Sequence, residues 1–509
     1  VTVEDEAQGD DDVAALRPRP ARYEITRFAM LRGLGAIYFV AFVAAAQQLG
    51  PLVGPDGLLP AEALLAPLRR DGWSAIVEVP TLFLAVPATD ASLSILAWVG
   101  AALALSVALG ASNAVLMTAL WALHLSIVHV GQTFWAFGWE LLLAETGFLA
   151  IFVAPLRSLA PFARTRAPAT SIVMALHRWL LFRVMLGAGL IKLRGDPCWR
   201  ELTCLDTFYE TQPLPSPLSP LWHFAPTFVR HGGVLINHVV ELIVPFAYFA
   251  PPRPRAIAGL VTIAFQLMLI AGGNLSYLNW LTIVIALGCF DDEHLTRVVP
   301  RSLSDKLART GATDRATVAT TVVLAVVIGM LSVPVVLNML SRGQQMNASF
   351  DPFEIVNTYG AFGSVETVRD ELVIEGSLAD DPHDEAAYRA YELPCAPGDP
   401  RRRPCFVAPY PMRLDWQIWF AAMHDDVGRS PWLVHLVWQI LHGEGTALTL
   451  FSRVPFDRPP RWLRIRRFRY RLSATRDVWW TREVEDDGWM RPIDRDDARL
   501  REYVEAMGW

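Results

Sequence analysis

By type and position, Lys192 is the residue of this chain best suited to acid–base chemistry. Only two lysines, Lys192 and Lys306, stand among 45 basic residues, the rest being arginine. A compact ammonium can exchange a proton where a guanidinium cannot. Lys192 ends an apolar run and opens a dense polar stretch that includes Trp199, Asp206, Tyr209, Glu210 and Gln212. It could serve there as a base, or it could simply snorkel toward lipid headgroups. His238 and Glu241 lie three apart, one turn along a helix face, and could act together on one ligand. Within the apolar run that Lys192 ends and within others sit His124, His129, Glu140, Glu145, His177, Arg178 and Arg183. Hydrocarbon would penalise each by roughly 2.5 kcal/mol or more, so they should face a protein interior. Pairing of Glu140 or Glu145 with Arg183 is the structural reading, and a proton or ligand role the functional one. Asn274, Tyr277, Asn279 and Trp280 interrupt a further apolar region, either as a satisfied polar turn or, at Asn274 and Asn279, as substrate contacts.

The elements that must position these groups are membrane helices. Of 509 residues 53% are hydrophobic and 19% charged, and the apolar residues form runs of about 20, the length of a bilayer crossing. The expected fold is a polytopic α-helical bundle of about nine spans, at 28–48, 93–110, 114–130, 136–154, 171–193, 233–250, 256–272, 277–290 and 317–340. The run 75–86, broken by Pro80 and Pro87, is too short to span and reads as re-entrant or interfacial. Residues 1–27 form an acidic and basic cytoplasmic segment, 28–340 the membrane domain with a long external loop 194–232, and 341–509 an external domain. The start lacks a signal peptide's order, so the first span reads as an uncleaved anchor. Nine crossings from a cytoplasmic N-terminus gather Arg157, Arg164 and Arg166, Arg253 and Arg255, and the arginines of 297–315 on the inner side. The net charge of -6 leaves no basic surface for nucleic acid. Arginine, alanine and proline richness suggests a GC-rich bacterial source, hence an inner membrane rather than the endoplasmic reticulum.

Two close cysteine pairs, Cys198 with Cys204 and Cys395 with Cys405, fall on the external side, where disulfides form. Metal binding is the alternative, though no histidine completes either pair at a zinc-like spacing. The tail reads as a mainly-β, sandwich-like domain with strands near 371–376, 387–393, 414–420, 447–451, 463–474 and 478–484, and helices at 431–442 and 496–507. Trp416, Trp419, Trp479, Trp480 and Trp489 could pack its core or present a binding surface.

The stretch Cys198-Trp-Arg-Glu-Leu-Thr-Cys-Leu-Asp-Thr-Phe-Tyr-Glu-Thr-Gln-Pro-Leu-Pro215 resembles the lipase maturation factor family. So do Glu371-Leu-Val-Ile-Glu-Gly-Ser377, the run from Tyr391 through Cys395 and Cys405 to Phe420, and Pro455-Phe456 with 464–470. The resemblance implies a multi-pass membrane protein that helps secreted lipases fold and assemble. Phe208 stands where the family's pattern would place a histidine. Ala188-Gly-Leu-Ile-Lys-Leu193 also looks distantly like the segment bearing the catalytic lysine of vitamin K-dependent carboxylases. The leading expectation is therefore a non-enzymatic maturation factor for a secreted, lipase-like client, in contact with membrane lipids and without a required cofactor. The rival is an intramembrane enzyme acting on a lipid- or quinone-like substrate through Lys192, with Glu241 or His238 nearby.

Overall fold

The computed structural model describes residues 23–156, 171–307, 315–475 and 477–509. The acidic start and the loop carrying Arg157, Arg164 and Arg166 lie outside them. Among the described residues nine principal helices make up the bundle: α1 (Glu24–Val53), α2 (Asp90–Leu109), α3 (Ala114–Val130), α4 (Gly138–Val153), α5 (Ser171–Arg194), α6 (Thr227–Phe249), α7 (Pro252–Gly272), α8 (Leu278–Cys289) and α9 (Arg315–Leu340). Six of them, α1, α2, α5, α6, α7 and α9, are long and apolar enough to cross a membrane. Each remaining expected span is helical but short: α3 has 17 residues, α4 has 16, and α8 has 9 before a closing 3-10 turn. A short helix crosses only when neighbours or flanking turns supply the missing length. The run 75–86 forms a short helix, Trp73–Glu78, and a 3-10 turn, Leu82–Leu84.

Helix ends are set locally. Thr89 and Ser92 cap α2 reciprocally, and Asn113 accepts from the Leu116 N–H to start α3. Gly110, with φ of 116°, ends α2 in a conformation that disfavours any side chain. The two ends of α1 define two faces of the bundle. Its first N–H groups bind Asp292 at 3.0 and 2.9 Å, whereas Gln48 near its other end donates to the Pro411 carbonyl at 2.8 Å. The loop 194–232 and the tail lie together on this second face.

The tail is not a sandwich. It holds one antiparallel sheet of order β2-β1-β3-β4, with β1 at Arg369–Ser377, β2 at Arg389–Ala390, β3 at Trp462–Leu472 and β4 at Trp480–Ile493. Arg464 and Arg466 of β3 reach across to Glu375 of β1 at 2.9 and 2.8 Å. Three helices complete the tail: α10 (Arg413–Ala422), α11 (Pro431–His442) and α12 (Ala498–Met507). The alternation at 414–420 pointed to a strand, and it is α10. Eight of its ten residues, polar and apolar alike, are buried, so alternation no longer reports exposure. In the expected strand 447–451, Ala447–Leu450 likewise form a 3-10 turn. Trp416, Trp480 and Trp489 are core residues. One apolar core runs without a break from α1 through α10 and α11 to β3, so the tail packs onto the bundle directly.

Candidate functional site

Lys192 sits in the last turn of α5, buried, with its ammonium turned toward α6. Its Nζ donates to both Glu241 oxygens, at 2.6 and 2.8 Å, and to Asn237 Oδ1 at 3.2 Å. Asn237 Nδ2 in turn donates to Glu241 at 2.8 Å, closing a triad. Two local features make this possible. Glu241 lies in a single π turn, Val239–Ile243, an irregularity often found where a helix must present a particular side chain. Gly189 lets α6 approach α5, since a Cβ there would meet Leu242 at 2.6 Å and Glu241 at 3.0 Å. The Trp199 ring lies 5.1 Å from the ammonium, held by its indole N–H donating to the Phe362 carbonyl at 2.8 Å.

The triad forms part of the wall of a cavity of about 420 Å³. Most of its lining is apolar: Val184, Phe265, Leu269 and Leu278 from the bundle, Trp416 and Phe420 from α10. Of the residues singled out in the sequence, Lys192, Glu241, Trp199, Tyr209, Gln212 and Asn279 line it. His238, Asp206, Glu210 and Asn274 do not, and each has a structural partner. His238 Nε2 donates to the Trp199 carbonyl at 2.9 Å, and the ring stays off the cavity wall that Glu241 lines. Asp206 binds Arg230 at 2.6 Å and His231 at 3.3 Å. Burial alone would raise its carboxyl, but these two partners outweigh that and hold it low. Glu210 accepts from the Leu472 N–H at 2.7 Å, fastening the loop to β3.

Asn274 is the densest junction. Its Nδ2 reaches the carbonyls of Leu214, Pro215 and Cys405, and its Oδ1 accepts from the Val407 N–H at 2.8 Å and the Ala408 N–H at 3.1 Å. It ties together the α7–α8 turn, the loop 194–232 and the tail. Both cysteine pairs are disulfides, Cys198 to Cys204 and Cys395 to Cys405, leaving Cys289 free and buried.

Buried ion pairs complete the junction between bundle and tail. Arg183 of α5 pairs with Glu145 of α4, and Nη1 also donates to the Asn357 carbonyl at 2.8 Å. The hydroxyl of Tyr359 donates to the same carboxylate at 2.8 Å. Glu140 takes a different partner, Arg413 of α10, at 2.7 Å, with the guanidinium over the Trp135 ring at 3.7 Å. Arg369 of β1 donates to the carbonyls of Glu210, Gln212 and Pro213 and pairs with Glu371 at 2.5 Å.

A family model described as the lipase maturation factor transmembrane domain matches residues 25–297, and one described as the lipase maturation factor C-terminal domain matches residues 355–490. The chain is 42% identical to lipase maturation factor 1 of Bos taurus, covering 97% of this chain and 94% of the relative. The chain belongs to the lipase maturation factor family. Lipase maturation factor 1 of Homo sapiens is 41% identical over 95% of the chain and 90% of the relative, and lipase maturation factor 2 of Gallus gallus 29% identical over 90% and 80%. No solved structure matches. These relatives and family models include no vitamin K-dependent carboxylase, so the likeness at 188–193 gains nothing from them.

Several residues of this family member's junction escaped the sequence reading, above all Asn237, Tyr359, Arg369 and Arg413. Asn237 had a signal, four residues before Glu241 on the same helix face. Arg369 and Arg413 carried none that pointed to the junction, because the carbonyls Arg369 reaches and the Glu140 that pairs with Arg413 are separated from them by long stretches of chain.

Proposed function

We propose that this chain is a membrane-bound maturation factor that helps secreted lipases, or similar exported clients, to fold and assemble. The observation that carries this reading is the match to lipase maturation factor 1 along nearly the whole chain, membrane part and tail alike. The client meets the face where loop 194–232 and the tail 341–509, each stapled by one internal disulfide, are interlocked through Asn274 and Arg369. Nine crossings of residues 28–340 from a cytoplasmic segment 1–27 put that face outside the cytoplasm. Supporting this count, α1 starts at the Asp292 side and ends at the tail side, and α7 starts beside Cys289 and Asp291 and ends beside Gln212 of the loop 194–232. The relatives are animal proteins and lend no support to a bacterial inner membrane, an idea that rested on composition.

The test is complementation. In cells lacking their own lipase maturation factors, this chain restores secretion of active lipase, and truncation after Leu340 abolishes it while the bundle stays inserted. Unchanged lipase secretion with and without the full chain would remove the reading. The enzymatic rival draws only on the cavity beside Lys192. The geometry weighs against a base there, since a lysine ammonium has three protons and the triad provides three acceptors.

A further inference from the structure

The cavity behind Lys192 is mostly hydrocarbon in character, yet its few polar groups are arranged in a particular way. Among the described residues Lys192 is the lining's one cation, and it is fully matched by Glu241 and Asn237. No positive charge is left over to hold a carboxylate or phosphate, because using Lys192 for that would strand Glu241 in a buried site. Some hydrogen-bonding capacity remains. Asn279 donates to Gln266 at 2.7 Å while its carbonyl oxygen accepts nothing from the described residues, and Asn237 spends one of its two amide protons on Glu241.

We propose that this cavity binds a neutral amphiphile of the acylglycerol class, with an acyl chain along Phe265, Leu269 and Leu278 and an uncharged hydroxyl or ester head at Asn279 and Asn237. Its volume of about 420 Å³ falls within the range of small-ligand sites, roughly 300–1,000 Å³. Its walls come from α5, α6, α7 and α8 at the end of the bundle nearest the tail, the depth at which amphiphiles gather in a membrane. Met346, Phe420 and Met423 lie exposed on its lining, giving an apolar rim. An extended client segment is the poorer occupant. Each residue of a polypeptide brings an N–H and a C=O that need partners, and most of the polar atoms here are already paired. The walls are also held in place by the buried Arg413–Glu140 and Arg183–Glu145 pairs, so they cannot part easily for a chain.

The experiment uses the full-length protein in lipid nanodiscs and a long-chain monoacylglycerol carrying a diazirine in its acyl chain. After irradiation, peptides from α5, α7, α8 and α10 are labelled saturably, and excess unlabelled monoacylglycerol removes the label while an equal amount of free fatty acid does not. Ala188→Trp fills the cavity and lowers that labelling by about ten-fold or more, with melting temperature and both disulfides unchanged. Should that variant fail to insert, Leu278→Trp blocks the opposite wall with the same expected loss. Label confined to the outward faces of α6 and α9, equal competition by fatty acid, or filling variants that label like the parent each overturn the proposal. So does capture of client polypeptide by a photoreactive residue at Met268, because the site would then belong to protein.

Discussion

Arg413–Glu140 and Lys192–Glu241 are both buried cation–carboxylate pairs, and they differ in what surrounds them. Arg413 is enclosed: its guanidinium lies over Trp135, donates to the Phe134 carbonyl at 2.8 Å, and brings α10 of the tail against α4 of the bundle. Lys192 joins two neighbouring bundle helices and faces a cavity. The first pair is wholly buried and holds two parts of the chain together. The second keeps a boundary with space that a ligand can enter. Burial of charge therefore accompanies assembly in one place and the wall of a cavity in the other, and the neighbours distinguish them.

The largest effect should come from breaking the enclosed pair. Arg413→Met leaves Glu140 buried without its cation, an imbalance that costs about 3–5 kcal/mol. The tail should then detach from α4, read as a large drop in melting temperature and new proteolytic cleavage between Leu340 and β1. Retained protection would mean that the apolar core alone docks the tail.

For the open pair the informative variant is the double one. Lys192→Met alone should cost a comparable amount, again about 3–5 kcal/mol, whereas Lys192→Met with Glu241→Leu should recover most of it, since replacing both charges by apolar groups is often close to neutral. Client secretion should follow stability if the triad is structural. A double variant that is stable yet inactive would restore the enzymatic reading.

A smaller effect is expected at the disulfides. Cys395→Ser with Cys405→Ser should lower stability by about 2–4 kcal/mol and loosen the segment that Asn274 grips, seen as faster hydrogen exchange at Val407 and Ala408. In intact cells neither pair should react with a membrane-impermeant thiol reagent until reduced. Reaction only after the membrane is breached would place this face in the cytoplasm.

The smallest effect is a pH dependence of tail docking. Burial, with like charge on Asp351 and Glu140, pushes the Glu354 carboxyl up to about 8. Burial likewise raises Asp415 to about 6, partly offset by the N–H groups of Cys395 and Ala396. Groups raised in the folded state stabilise it fully below their unfolded values and lose that contribution as pH rises through the folded ones. The melting temperature should thus fall from pH about 6 to pH about 8 because of Glu354, and Glu354→Gln should flatten that interval. A slope that survives the substitution would assign it to another group.

Much of the bundle was legible because hydrocarbon leaves so few choices: long apolar runs must be helices, and all nine expected spans are helical. Their length was less informative, since three fall below the span of a bilayer. In the tail, β1 and β3 were readable from β-rich alternation, while α10 was misread because its polar and apolar residues are buried alike. At the site, Lys192, Glu241, Trp199, Tyr209, Gln212 and Asn279 were chosen from residue type and do share one cavity. His238, Asp206, Glu210 and Asn274 were chosen by the same logic and serve as fasteners.

The sequence by itself determined the apolar helices, the close cysteine pairs and the family, for these are written in composition, short spacing and contiguous motifs. Tertiary structure alone decided which buried charge meets which: Glu145 takes Arg183, Glu140 takes Arg413 from a helix more than 250 residues later, and Lys192 takes Glu241. A buried charge must find a partner, but any opposite charge in the chain satisfies that demand on paper. Only packing, through Gly189, the π turn at Glu241 and the docking of α10, brings one of them within hydrogen-bonding distance and leaves a cavity beside one pair and none of that space beside the other.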